Sequence, residues 1–337
     1  MSPAVAAVTM LSDAKKPDLP EWLREHYPFL TRCFCGVRPR DEHDDGEPAS
    51  YSMSFLDEGA PDAPPVVLVH GNAAWSFLFR NLVPRLASKF RVVAPDHIGF
   101  GLSDKPAHTA YHTLQQHIRN FTALVQALEL RRVTLVAHGW GGPIALGYAG
   151  THPENVARLV LVNTWAGNLP HIASRKKPLA QRLAGSGRIG AFLDRVFKLS
   201  INSSLSLRTH RPISDLILEA YTYPFANPAS RAAIHAFDQM FFEPDAQTRA
   251  LQDEIQANLR KIDAPADILC GAYDPLLSKL PAYLLRDSLR HTAEPVFLEA
   301  AHLIPEEAGD ALAETVLRGI TSAGSTHRTG SVFKILD

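Results

Sequence analysis

From Val133 to Gly142 the chain reads Val-Thr-Leu-Val-Ala-His-Gly-Trp-Gly-Gly, a β-branched run, a tight turn and the start of a helix. That is the layout of a nucleophile elbow, in which small residues flank an attacking side chain held on a strained turn. Ala137 and Gly141 keep the flanks small, but the centre, where Ser, Cys or Asp would attack, is Gly139. The remaining chemistry is better supplied. Asp274 stands in Gly-Ala-Tyr-Asp-Pro just past an apolar run from Asp267 to Cys270, and His302 stands in Ala-Ala-His just past Val296 to Leu298. An acid and then a histidine, each following a strand, make a general base whose ring the acid orients and whose protonated form it stabilises. Asn72, in His70-Gly71-Asn72, has a side-chain amide to donate, and Trp140 an indole N–H, toward charge developing on a leaving group or carbonyl. Taken singly, Asp274 and Asn72 read as turn formers, His302 as a structural histidine and Trp140 as packing. Their order behind successive strands favours the catalytic reading.

Strand and helix signals alternate around these positions, and the spacing predicts an α/β fold: a doubly wound, mostly parallel sheet with an inserted helical cap. Strands are expected at Val66 to Val69, Arg91 to Ala94, Val133 to Ala137, Ala157 to Val162, Asp267 to Cys270 and Val296 to Leu298, with Tyr51 to Phe55 as an edge strand. Helical spacing runs through Trp75, Leu78, Leu82, Val83 and Leu86, through Leu114 to Leu128, through Pro143 to Ala149, and from about Glu306 to Ile320. Between Asn163 and Pro265 the alternation lapses into helical, Pro-rich stretches: Ser174 to Leu183, Ala191 to Leu199, Ser214 to Tyr221 and Pro228 to Phe242. Such an insertion is expected to cover the carboxyl edge of the sheet, with substrate beneath it. The expected organisation is an N-terminal arm (1–50), a core (51–163 and 264–320), a cap (164–263) and a mobile tail (321–337). Phe192, Leu193, Phe197, Leu216, Phe225, Phe237, Phe241 and Phe242 either line an alkyl tunnel or pack the cap on the core, and packing is favoured for most.

A formal net charge of −1 offers no basic field for phosphates, which argues against nucleic acid and for small, largely apolar substrates. Three cysteines, Cys33, Cys35 and Cys270, cannot all pair, and with no secretory signal pattern at the N-terminus a reducing, cytoplasmic setting is expected. No apolar run reaches the roughly 20 residues of a membrane helix, so no transmembrane segment is expected. The 15 histidines are scattered, and His108/His112 and His112/His117 have no carboxylate or thiolate at ligand spacing. They read as residues of an exposed helix; no metal is expected. Gly139, Gly141 and Gly142 have elbow spacing and not that of a dinucleotide fingerprint, so no cofactor is expected.

His70-Gly-Asn-Ala-Ala-Trp-Ser-Phe77, Asp96-His-Ile-Gly-Phe-Gly-Leu-Ser-Asp-Lys-Pro106 and His138-Gly-Trp-Gly-Gly-Pro143 resemble the haloalkane dehalogenase branch of the α/β-hydrolases. Trp75-Ser-Phe77 and Asp96-His-Ile-Gly look closest to its β-lactone decarboxylases of bacterial long-chain olefin biosynthesis, and the resemblance spans roughly Trp22 to Ile320. It implies an Asp at position 139 that attacks carbon to form an ester, a water-activating base at His302, its supporting acid at Asp274, and a halide or oxygen held by Asn72 and Trp140. It also implies a long-chain β-lactone or a haloalkane as substrate, and association with neighbouring pathway enzymes. Two positions depart from the pattern: Gly139 replaces the nucleophile, and Ala73 replaces the Pro that usually follows His-Gly-Asn. Gly139 then has three readings. The chain is a covalent enzyme disabled by loss of its Asp, or an enzyme in which His302 activates water or moves a proton directly, or a binding or scaffold protein that has abandoned chemistry. In the second of these His138 either assists His302 or is packed, and packing is favoured because the side chain before an elbow's centre usually points away from the pocket.

Overall fold

A computed structural model describes residues 11–37, 50–169, 205 and 209–321. Eight strands form one sheet: β1 (Thr31–Val37), β2 (Ser50–Glu58), β3 (Pro65–Val69), β4 (Arg91–Pro95), β5 (Val133–Gly139), β6 (Val156–Thr164), β7 (Ala266–Gly271) and β8 (Val296–Leu298), in the spatial order β1-β2-β4-β3-β5-β6-β7-β8. From β4 to β8 all neighbours are parallel, whereas β2 runs antiparallel to both β1 and β4. The Val/Leu-rich runs of β3 and β5 are buried on both faces, as a parallel sheet between helical layers requires. Reversal of the strand order on either side of β3 brings the carboxyl ends of β3 and β5 together, where an open α/β sheet forms its ligand crevice.

The described helices are α1 (Glu21–His26), α2 (Val83–Ala87), α3 (Leu114–Ala127), α4 (Gly141–Thr151), α5 (Asp215–Thr222), α6 (Ala232–Phe242), α7 (Ala246–Asn258), α8 (Leu280–Ser288), α9 (Ile304–Glu307) and α10 (Gly309–Thr321). Between β6 and β7 the described elements are all helical. The predicted helices Ser174 to Leu183 and Ala191 to Leu199 lie outside the described residues, as do Phe192, Leu193, Phe197 and the tail beyond 321. Of the predicted cap residues, Phe225, Phe237 and Phe242 are buried and Leu216 is exposed.

Three expectations need correction. The segment from Tyr51 to Phe55 is not an edge: Thr31–Val37, expected to lie in the arm, pairs with it along its outer side. Alternation alone cannot tell an edge strand from one whose neighbour precedes it. The helical spacing from Trp75 to Leu86 splits into a 3₁₀ turn (Ser76–Phe79) and α2, because Pro84 has no N–H for a continuing helix and instead sits in the first turn of a new one. The closing helix is likewise divided at Ala308, whose φ of −138° is not helical. Cys33, Cys35 and Cys270 are all unpaired, and among the described residues no helix is long and apolar enough to cross a membrane.

Candidate active site

Gly139 ends β5 with φ +56°, where the pairing with β6 shifts register and the chain turns into α4. Its neighbours leave the backbone little room. A Cβ on Gly141 would stand 2.2 Å from the Val69 carbonyl oxygen, and one on Gly142 would stand 1.7 Å from Thr164 Oγ1. Position 139 differs: among the described residues a Cβ there meets nothing closer than His302 Nε2 at 3.4 Å, ordinary van der Waals contact. Only the left-handed backbone favours glycine at this point, and Asp is among the residues that tolerate it. The elbow therefore has space for a side chain, and that side chain would point at His302.

His302 and Asp274, 28 residues apart, meet through Nδ1 and Oδ2 at 2.8 Å, both buried. With Nδ1–H donated to the carboxylate, Nε2 is left as the acceptor facing Gly139. Asp274 is fixed in turn, its Oδ1 accepting the N–H groups of Leu276 (2.8 Å) and Leu277 (3.1 Å). Burial alone would raise its pKa. The charge and hydrogen bond of His302, together with those two N–H groups, outweigh burial and hold the carboxyl below its usual value.

Apart from His138, the loop that carries His302 is anchored by residues not singled out from the sequence. Asn163 Nδ2 donates to the carbonyls of Ala301 (2.7 Å) and His302 (2.8 Å), while its Oδ1 accepts the Gly271 N–H at the end of β7 (2.8 Å). It stands at φ +41°. The one available signal was a polar residue directly after the apolar run Leu159 to Val162. His138 is buried, as expected, yet its Nε2 lies 2.8 Å from the His302 carbonyl oxygen, to which it donates, and its ring centroid is 4.8 Å from that of His302. Glu307 accepts the Ala301 N–H through Oε2 and the N–H groups of His210 and Arg211 through Oε1. Its neighbour Glu306 forms a two-pronged pair with Arg80 and accepts from the Tyr221 hydroxyl on α5.

Asn72 follows β3 beside the elbow, and its amide is already engaged. Nδ2 donates to Asp238 Oδ1 at 2.8 Å and to the Ile234 carbonyl at 3.4 Å, both on α6. The one trace of Asp238 in the sequence is a carboxylate between Phe237 and Gln239 in an otherwise largely apolar helix. Trp140 is buried among Trp165, Phe237 and Phe241, with ring centroids at 5.0, 5.1 and 6.5 Å. The packing reading of Trp140 thus holds for its ring, and among the described residues no protein acceptor takes its indole N–H.

His112 and His117 are buried, correcting the exposed-helix expectation. They stack at 5.8 Å within an aromatic cluster that includes His97, Phe100 and Phe237. The apolar period of α3 puts His117 on its inner face, one turn from Leu114 and Phe121. Burial lowers the pKa of each, that of His97 to about 3 and that of His112 to about 4. Among the described residues no group of three or more His, Cys, Asp or Glu side chains is placed to hold a metal. Cys270, near Asp274, has its thiol pushed up to about 12 by burial and by that carboxylate, so it is not a nucleophile at neutral pH.

Residues 64–308 match the family model described as alpha/beta hydrolase fold. A cis-3-alkyl-4-alkyloxetan-2-one decarboxylase of Shewanella oneidensis is 36% identical over 264 residues, covering 77% of this chain and 81% of its own length. A haloalkane dehalogenase of Mycolicibacterium paratuberculosis is 32% identical over 301 residues, covering 87% and 93%. Among solved structures, haloalkane dehalogenase DbeA from Bradyrhizobium elkani superposes with a TM-score of 0.72 at 23% identity, over 86% of this chain and 100% of that one, a likeness of fold. Sequence and architecture agree, and the chain belongs to the α/β-hydrolase family, related to the oxetanone decarboxylases and the haloalkane dehalogenases.

Proposed function

We propose that this chain is built for β-lactone decarboxylase chemistry, β-lactone to cis-alkene and CO2, and that Gly139 deprives it of the covalent step. An oxetan-2-one is a β-lactone, so the decarboxylase relatives supply the substrate class: a small ring bearing alkyl chains. The observation that carries the reading is the space at Gly139, where a side chain fits and would face the nitrogen of an oriented base. In the covalent route a carboxylate at that position attacks carbon to form an ester, and the pocket's other groups act on the ester and its leaving oxygen. Trp140 is the donor assigned to that oxygen. Asp274 orients His302 and stabilises its protonated form. The helical segment between β6 and β7 serves as a cap over this site, and the cytoplasmic setting rests on cysteine usage. Assembly with pathway enzymes rests on the resemblance alone.

The complete His302–Asp274 pair also favours a second reading, in which His302 Nε2 takes a proton from water and the hydroxide attacks carbon without an ester. Haloalkane hydrolysis is the alternative within the covalent scheme. The test is a paired assay of the chain and its Gly139→Asp variant against long-chain β-lactones and 1-haloalkanes, following alkene, alcohol and halide. The expected result is a gain of roughly 10³-fold or more with the β-lactone in the variant only. Turnover in the unaltered chain that disappears with His302→Ala supports the non-covalent route. Saturable ligand binding without turnover in either protein supports a binder.

A further inference from the structure

Asp238 lies on one stripe of α6 with Ile234, Phe237 and Phe241, the spacing of a single helix face. Phe237 and Phe241 put that face against Trp140, and the Ile234 carbonyl puts it against Asn72. A buried carboxylate thus occurs on the otherwise apolar stripe that meets the elbow, paired with the very amide that the sequence assigns to a leaving group. The pairing is fixed from the other side as well. Asn72 Oδ1 accepts the Ala73 N–H at 2.9 Å, which turns the amide nitrogen toward Asp238. Ala73 has φ +56°. Proline has neither the N–H nor the dihedral for this arrangement. Two separate features, the residue at 73 and the residue at 238, therefore commit Asn72 to the cap.

The consequence is electrostatic. A free anion approaching the Asn72 amide meets carboxylate oxygen where it would need donated protons, in a setting with little water to screen the repulsion. A β-lactone arrives as a neutral ring, and the carboxylate that its opening forms stays tethered to the ester-linked substrate, so no free anion is released at that point. We propose that Asp238 is a specificity-determining residue that closes the Asn72 side of the pocket to halide and reserves the site for neutral lactones over haloalkanes. The substrate half of this proposal rests on the lactone reading above; the exclusion of halide does not.

The test is a titration of the unaltered chain, Asp238→Asn and Asp238→Ser with sodium bromide at constant ionic strength, read by tryptophan fluorescence, with Trp140→Phe identifying the signal from the site. The expected result is no saturation for the unaltered chain and saturable binding, at least about tenfold stronger, in either variant that retains a cooperative melt. Saturable bromide binding by the unaltered chain with an affinity that Asp238→Asn leaves unchanged overturns the proposal. So does a failure of both variants to gain binding. In a Gly139→Asp background, Asp238→Asn is expected to raise the haloalkane-to-lactone ratio of kcat/KM at least about tenfold. If Gly139→Asp alone is inactive on both substrates, the lactone reading fails while the bromide titration still decides the role of Asp238.

Discussion

His302 and Asn72 flank the same elbow and are held in opposite ways. Among the described residues, every side chain that bonds to His302 or its carbonyl comes from a strand end or the loop behind it: Asp274 after β7, Asn163 on β6 and His138 on β5. The amide nitrogen of Asn72 is bonded to the helix α6, in the segment between β6 and β7. His302 thus takes its orientation from the sheet, which also carries the folding core. Asn72 takes its orientation from α6, so on the proposal above substitutions there are expected to change what the site accepts and to leave the His302–Asp274 pair in place. That contrast explains how a complete acid–base pair coexists with an elbow that has no side chain.

The Arg80–Glu306 pair is where the two regions meet, since Glu306 follows the base loop and also holds Tyr221 of α5. Arg80→Ala leaves a buried carboxylate facing Tyr221 and is expected to lower unfolding stability by about 3–5 kcal/mol, measured by denaturant unfolding. A loss below about 1 kcal/mol would mean that the base loop and α5 are fastened elsewhere.

Acid tests the histidine cluster beneath α6. In the folded chain burial keeps His97 at about 3 and His112 at about 4, with His70 and His117 well below the usual value. The unfolded chain takes up these protons near pH 6.5 and the folded chain refuses them, so stability present above pH 6.5 is lost as pH falls toward 4. His112 alone contributes about 3 kcal/mol over that window. Asp96 works the other way: burial raises it to about 6, so its contribution declines as pH rises from about 4 to 6, a single group against four. His117 has no partner for either ring nitrogen among the described residues and packs edge-on to Phe237. His117→Phe is therefore expected to shift the acid midpoint downward, followed by circular dichroism. An upward shift would contradict the assignment.

Smaller effects sharpen the sheet side of the comparison. Asn163→Ala removes two donated bonds and one accepted bond, and is expected to cost about 1–3 kcal/mol of stability. In a Gly139→Asp background it is also expected to lower kcat more than it changes KM, because it frees the loop that positions His302. Trp140→Phe keeps most of the ring packing and removes the indole donor. A drop in kcat of roughly tenfold or more is expected in that background, and an unchanged rate would return Trp140 to packing alone.

Much of the sheet side was legible in the sequence, because it rests on local signals. Apolar runs ended by turns gave the strands from β3 to β8, and the order elbow, acid, base gave Gly139, Asp274 and His302. β1 was missed because its pairing with β2 is non-local, and the division of the helix after Trp75 needed the weight of Pro84 against an otherwise unbroken apolar period. Asn163 and Asp238 stayed hidden for a shared reason. Each acts through atoms far away in sequence, Asn163 on a loop 138 residues later and Asp238 on an amide 166 residues earlier. Buried polar residues inside apolar runs were their only trace, and the identity of the partner is supplied by the fold.

Mass spectrometry of the Gly139→Asp, His302→Ala double variant after incubation with a long-chain β-lactone tests most directly the claim that this is a covalent site lacking only its nucleophile. The expected result is a protein adduct heavier by the lactone, mapping to the introduced carboxylate and absent from the unaltered chain. An unmodified double variant under conditions where the lactone demonstrably binds would contradict it.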